Sequence, residues 1–443
     1  MSTGIRNRAK QVADEIATRL TDPDLLVAAQ KGPDLDHFPR EELSTLARGY
    51  SGISLLFTTR AGAGKTSDAS IAHQYLQRCA QLQEDSSHTG LVGLHNNITG
   101  LGFAMASARL VTGGYTKALG QLDRRVTASA RAICEFANLE IYESLNQYDV
   151  ISGLSGIGRY LLMRGQEAED AIQLVLETLT QRALSEVTDQ RNLSSGRRLP
   201  GFWSSGAPSA TYDESSEEAQ YGHLNLGVAH GIPGPLALLS LAKLQGYTCE
   251  GQSDAISVLA DLLMEWCQED ARGLYWPAFI SRSEWDRGVP RPGKSMARWC
   301  YGTPGVARVL QLAGQAEERD DWLSAAERGI SALLEAPLSA WQVIDMGLCH
   351  GWAGVLQLLG YFASGDSSRH HVDEVRDTIA EMIVESFAPD TRYGYQVGML
   401  AGQSGGDYPG LLEGAAGIAL ALDSYAECST TSKNTWDAAF LMS

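Results

Sequence analysis

Three side chains with donor atoms suited to one metal ion stand at matching places in a repeated motif. Cys349 and His350 lie in Leu348-Cys349-His350-Gly351-Trp352-Ala353-Gly354, and Cys300 lies in Trp299-Cys300-Tyr301-Gly302-Thr303-Pro304-Gly305. Two thiolates and an imidazole are good zinc ligands, and three protein ligands with a fourth position open is the pattern of a catalytic zinc. Adjacent residues on a helix point about 100° apart, so Cys349 and His350 can converge on one ion only from the loop ahead of the helix. The competing reading is that both cysteines are small buried hydrophobes.

His230, in Ala229-His230-Gly231-Ile232-Pro233-Gly234, has the same register one repeat earlier. A histidine there suits acid–base work near neutral pH, or a purely structural hydrogen bond. Asp149, just ahead of Ser152-Gly153-Leu154-Ser155-Gly156, reads equally as a partner for such a histidine or as a cap. His95, His223 and the pair His370-His371 read as structural or solvent-facing. Ala61-Gly62-Ala63-Gly64-Lys65-Thr66 has the ending of a phosphate-binding loop. Thr59 stands where the leading glycine belongs and no strand–helix alternation surrounds it, so it reads as an inter-helix turn. Gly153-Leu154-Ser155-Gly156 has Ile157 where a nucleophile elbow needs glycine.

The elements that must position these residues follow from the repeat. Gly-x-x-Gly, or Asn97 in place of the first glycine, ends at Gly52, Gly100, Gly156, Gly234, Gly305, Gly354 and Gly417. Each copy is followed by an apolar or Ala-rich helical run. Successive copies stand from 48 (Gly52 to Gly100) to 78 residues (Gly156 to Gly234) apart, room for one more helix each. Those second helices, expected over 9–20, 67–83, 117–136, 167–184, 253–267, 321–334 and 370–386, are apolar on one face. An all-round apolar helix is buried and a one-faced helix lies outside. The alternation predicts an all-α fold, an α/α toroid of seven inner and seven outer helices in one domain over 1–443. Loop excursions are expected near 199–221 and 276–294. Glycine at each start permits close backbone approach or positive φ, and the starts are expected to converge at one end.

Composition narrows the function. Of 443 residues, 35 are basic and 53 acidic, a net charge of −18, which argues against a nucleic-acid binder. Seven scattered cysteines, Cys79, Cys134, Cys249, Cys267, Cys300, Cys349 and Cys428, fit a reduced, cytoplasmic protein rather than a disulfide framework. No signal-peptide h-region and no run of about 18 apolar residues is present.

These stretches resemble the lanthionine synthetase C family, the cyclases of lanthipeptide biosynthesis. The resemblance runs through all seven repeats. It is carried by Tyr148-Asp149-Val150-Ile151-Ser152-Gly153-Leu154-Ser155-Gly156, Asn225 to Gly234, Trp299 to Gly305, Cys349-His350-Gly351, and Leu412-Glu413-Gly414-Ala415-Ala416-Gly417. It implies Zn2+ on Cys300, Cys349 and His350, an acid/base histidine at His230 with Asp149 beside it, and an aromatic pair, Trp299 and Tyr301, flanking the first zinc cysteine. It also implies a dehydrated precursor peptide as substrate and a dehydratase of the same pathway as partner. The reaction implied is Michael-type addition of a peptide cysteine thiol to dehydroalanine or dehydrobutyrine, closing a lanthionine or methyllanthionine ring. With no room for a fused dehydratase or kinase-lyase domain, a stand-alone cyclase is expected, cytoplasmic or peripheral to a membrane-associated complex. One position departs from the family: its arginine four residues before the first zinc cysteine is Met296 here, and Arg298 is the nearest substitute. The alternatives are an enzyme adding glutathione or another thiol to dehydroamino acids in proteins, and a non-catalytic scaffold that binds leader peptide. Other α/α-toroid enzymes want paired carboxylates or an aspartate-rich motif, and the helix starts carry neither.

Overall fold

The computed structural model describes residues 2–29, 40–85, 92–136, 145–187, 198–208, 213, 215–271, 273–293, 296–363, 370–396, 406–427 and 436–443. Cys428, the stretch 209–212 and Lys294 lie outside them. All fourteen expected helices are present: α1 Ser2–Arg19, α2 Tyr50–Gly62, α3 Asp68–Asp85, α4 Ile98–Thr112, α5 Thr116–Phe136, α6 Leu154–Arg164, α7 Glu169–Leu184, α8 Pro233–Leu244, α9 Gln252–Glu265, α10 Thr303–Glu317, α11 Asp320–Glu335, α12 Trp352–Gly360, α13 His370–Glu385 and α14 Ala415–Ala426. The seven Gly-rich starts open α2, α4, α6, α8, α10, α12 and α14.

Burial sorts the two kinds as their sequences dictate. All nine residues of α12 and eleven of the twelve in α14 are buried. In α11 the buried set is Trp322, Ala325, Ala326, Gly329, Ile330, Ala332 and Leu333, one face at helical spacing. Each fully buried Leu, Val or Ile in such a face contributes about 1.5–3 kcal/mol.

The chain divides into two compact units. In Met1–Arg124 with Val343–Ala439, the Gly-start helices pack side by side in the order α4, α2, α14, α12; α3 lies on α2 and α4, α1 on α14 and α13, and α13 on α12. Arg60, 5% exposed, ties this unit together at Asp14, Asp68 and Asp423. Lys65 of the phosphate-loop-like stretch is ion-paired to Asp14 at 2.6 Å, in the turn between α2 and α3. In Arg125–Gln342 with Phe440–Ser443, α6, α8 and α10 pack in that order, with α7 on α6 and α9, α9 on α8 and α11 on α10.

Four of the helix starts, those of α6, α10, α12 and α14, share one backbone device. The first N–H groups of an α-helix have no partner within it; here a folded-back segment supplies carbonyls seven residues upstream. Trp352, Ala353 and Gly354 donate to the carbonyls of Asp345, Met346 and Gly347, and Ala415, Ala416 and Gly417 to those of Tyr408, Pro409 and Gly410. Ser155 and Gly156 donate to Tyr148 and Asp149, and Thr303 to Met296. The strap crosses so close that a Cβ on Gly52, Gly305, Gly354 or Gly417 would collide with the carbonyl oxygen of Leu46, Trp299, Leu348 or Leu411, each six residues before it. Of the two reasons expected for these glycines, close approach therefore governs. Among the start glycines only Gly302 has positive φ, 122°.

The two expected loop excursions contain structure and are joined by side-chain contacts. Leu199–Pro200 pairs antiparallel with Glu186–Val187, and Glu217–Tyr221 is a short helix. Within the second excursion, Phe279–Ser281 is a strand paired antiparallel with His223–Asn225, and Arg282–Arg287 is a helix with a Ser281–Glu284 capping box. Buried Glu218 and Glu284 both meet Arg291. Their polar composition made these stretches read as aperiodic, because the elements are too short to show a period.

Candidate metal centre

Cys349 and His350 occupy the last turn of chain before α12, in the strap rather than on the helix. The N–H groups of Leu348 and Cys349 both donate to the carbonyl of Leu412, at 3.1 and 3.0 Å, which sets the direction in which residues 349 and 350 leave the backbone. Cys300 has the matching place before α10, its carbonyl accepting from Ala229 N at 3.4 Å. One donor atom from each of Cys300, Cys349 and His350 lies within 4.8 Å of the other two, and it is the sole such cluster of His, Cys and acidic residues among the described residues. Cys300 and His350 are buried and Cys349 half-buried. The donor set fits a borderline-soft ion such as zinc, which prefers tetrahedral sulfur and nitrogen ligation. None of the six described cysteines is in a disulfide. By contrast Cys79, fully buried with its thiol pushed up to about 12 by burial, is an inert core residue.

His350 has a carboxylate at its back. Its Nε2 is 3.3 Å from Oδ2 of Asp345, both side chains being buried. Oδ1 of Asp345 accepts the Gly347 N–H at 2.7 Å. Asp345 was not anticipated from the sequence. Its one signal is the Asp-x-Gly spacing of a side-chain-to-backbone turn.

His230 and Asp149 meet as a pair. Nδ1 of His230 is 2.6 Å from Oδ2 of Asp149. The Asp149 side chain is 0% and that of His230 34% exposed. Oδ1 of Asp149 accepts the N–H groups of Ser152 and Gly153, at 2.7 and 2.8 Å. Burial by itself favours neutral imidazole, but it is outweighed by the hydrogen bond and charge of Asp149 and by the Cys300 sulfur, so the His230 pKa is raised. Asp149 thus faces the histidine and holds the loop just ahead of α6, whose first turn has no side-chain cap.

The remaining candidates divide. Tyr301 is half-buried, its hydroxyl accepting from Asn225 Nδ2 at 3.0 Å, and its ring covers Gly227 so tightly that a Cβ there would collide with it. Asn225, whose Oδ1 also accepts Gly227 N at 2.9 Å, is a second residue not singled out from sequence. Trp299 is 1% exposed, stacks edge-on against Phe440 and donates its Nε1–H to the Phe440 carbonyl at 3.0 Å. That ring holds the Cys300 segment onto the core and offers no face to a substrate. Arg298 gives both Nε and Nη2 to the carbonyl of Gln342, at 2.9 and 2.7 Å, clamping a residue in the left-handed region, φ 55°. His95 and His223 are buried, each with one ring nitrogen at a backbone carbonyl, that of Ala439 or Gly206.

A family model described as lanthionine synthetase C-like protein matches residues 42–441. The chain belongs to that family. Within the lanthionine synthetase C-like group, the nisin biosynthesis protein NisC of Lactococcus lactis subsp. lactis is 25% identical over 367 residues, 80% of this chain and 82% of that protein. A solved structure named nisin cyclase aligns with a TM-score of 0.73 at 22% identity, covering 99% of this chain and 98% of the other. The fold of this lanthionine synthetase C-like chain is accordingly the α/α toroid expected from its repeats, mostly helical with a few short strand pairs. No helix among the described residues is long and apolar enough to cross a membrane.

Proposed function

We propose that the protein is a zinc-dependent lanthipeptide cyclase, joining cysteine thiols of a dehydrated precursor peptide to dehydroalanine or dehydrobutyrine. The observation that carries this reading is the Cys300–Cys349–His350 cluster with the His230–Asp149 pair, in a family whose relatives include a nisin cyclase. Zinc held by the two sulfurs and the imidazole would acidify a substrate thiol, whose ordinary pKa is about 8.5.

The chain's own residues then handle the proton. Sulfur adds to the β-carbon of the dehydroamino acid, the double-bond electrons move towards the carbonyl, and the α-carbon must take one proton. With Nδ1 bound to Asp149, His230 presents Nε2, and its raised pKa favours the protonated form that a donor requires. Asp149 fixes the tautomer and ring orientation. The thiol proton lost and the α-proton gained balance, so the ring closes without change of mass. Tyr301, held by Asn225 and half-buried next to Cys300, is the aromatic side chain we assign to border the peptide. A dehydratase that generates the dehydroamino acids is the implied partner.

Incubating the zinc-loaded protein with a dehydrated precursor peptide tests the reading. Loss of free peptide thiols at constant mass is expected. Thiols that persist there, while glutathione adds to dehydroamino acids in a protein, would replace it with the intermolecular reaction.

A further inference from the structure

We propose that Asp345 is the positioning residue of the metal centre, its carboxylate accepting the Nε2–H of His350 so that Nδ1 stays unprotonated as the ligand atom. This rests on the reading of Cys300, Cys349 and His350 as one zinc site. Neutral imidazole carries one N–H, and only its other nitrogen can bind a metal. A carboxylate accepts and never donates, so one placed beside Nε2 selects the tautomer; metal-bound histidines characteristically have such a partner.

The geometry is built for that purpose within one short loop. The Asp345 carbonyl accepts the N–H of Trp352 at 2.9 Å, and its Oδ1 accepts the N–H of Gly347 at 2.7 Å. Asp345 and Gly351 are bridged as parallel strands are. The carboxylate is thus held at both its backbone and one of its oxygens. The remaining Oδ2 is buried and has no hydrogen-bond partner among the described residues; His350 Nε2 stands 3.3 Å from it, at ion-pair distance, close enough for a small turn of the ring to bring the N–H onto it. Leaving a buried carboxylate oxygen without a donor is costly, which favours the proton on Nε2. The two carboxylates face opposite ring nitrogens: Asp149 faces Nδ1 of His230, and Asp345 faces Nε2 of His350.

The test uses zinc affinity, measured by chelator competition on the full chain, with the visible spectrum of the cobalt(II)-substituted protein as a second readout. In Asp345→Asn the amide oxygen can keep Gly347, while the amide NH2 faces Nε2 and demands the wrong tautomer. A loss of zinc affinity of about 10–100-fold is expected, with an altered cobalt spectrum and an unchanged melting temperature of the zinc-free protein. Asp345→Ser, which can still cap Gly347 but cannot reach the ring, is expected to lose less. Wild-type affinity in Asp345→Asn, with His350→Ala losing zinc, overturns this inference and leaves the zinc site standing. A zinc-free Asp345→Asn protein that melts early, with an unchanged cobalt spectrum, assigns Asp345 to the turn alone and overturns it too. Failure of wild type to bind zinc, or full retention in Cys300→Ala, overturns both this inference and the site it rests on.

Discussion

Oδ2 of Asp149 receives Nδ1 of His230 at 2.6 Å while Oδ1 of the same carboxylate takes two backbone N–H groups at the start of α6. One carboxylate thus ties a helix start to an imidazole from another repeat. Asp149→Asn keeps an oxygen for the backbone and turns an N–H2 towards His230, removing the charge that raises its pKa. Cyclisation is expected to slow by about 10²–10⁴-fold. The alkaline limb of the pH–rate profile should move to lower pH, because the donor loses its proton earlier. Zinc content, read by elemental analysis, should not change.

His230→Ala separates proton donation from thiol activation. The variant is expected to bind zinc and peptide as wild type does and to lose about 10²–10⁴-fold in ring closure. A variant as fast as wild type at every pH would show that the proton comes from elsewhere.

Cys300→Ala and Cys349→Ala each remove a thiolate from the donor set. Both should purify with little or no zinc and show no thiol loss with dehydrated peptide. Cys79→Ala, a cysteine sealed in the core, should keep its zinc and lose only stability, measured by urea unfolding.

His223 supplies an acid-sensitive element. Burial, only partly offset by its hydrogen bond to the Gly206 carbonyl, lowers its pKa from 6.5 to about 4. An unfolded chain binds the proton near 6.5 and the folded one near 4. Stability is therefore full above pH 6.5 and declines as pH falls towards 4. The loss between pH 7 and pH 5 is about 2 kcal/mol. His223→Phe, which cannot titrate, should flatten that part of the urea-midpoint profile.

The glycines give a paired test. A Cβ at Gly354 meets the Leu348 carbonyl, whereas one at Gly120, inside α5, meets nothing within 4 Å. Gly354→Ala is expected to destabilise by on the order of 3 kcal/mol. Gly120→Ala should stabilise by about 0.5–1 kcal/mol. Thermal melting separates the two.

The helices were legible because burial writes a period into them. α14 is apolar all round and α11 on one face, and a window of twelve residues suffices to tell them apart. Cys300, Cys349, His350 and His230 were legible through register, each four or five residues before the second glycine of its repeat. Asp345 was not, because its Asp-x-Gly spacing announces only a local turn, while its nearness to His350 depends on a backbone strap that folds back seven residues. The strand pairing of His223–Asn225 with Phe279–Ser281 was missed because three-residue strands are fixed by partners far along the chain. Trp299 and Arg298 show the reverse limit: proximity in sequence to Cys300 does not say which way a side chain turns, and both turn to backbone carbonyls.

The straps also decide what the helix ends can offer a reacting group. A helix start ordinarily presents bare N–H groups that attract negative charge. At α12 and α14 the first three are already engaged by carbonyls from the strap, and at α8 the first position is Pro233, which has none. As sulfur adds to a dehydroamino acid, negative charge grows on its carbonyl oxygen, and these three helix starts hold no backbone oxyanion hole to receive it. In the proposed reaction, stabilisation there would fall to side chains and to the zinc that the Cys300, Cys349 and His350 set would hold, so the chemistry should respond to substitutions at His230 far more than to changes in the helices behind it.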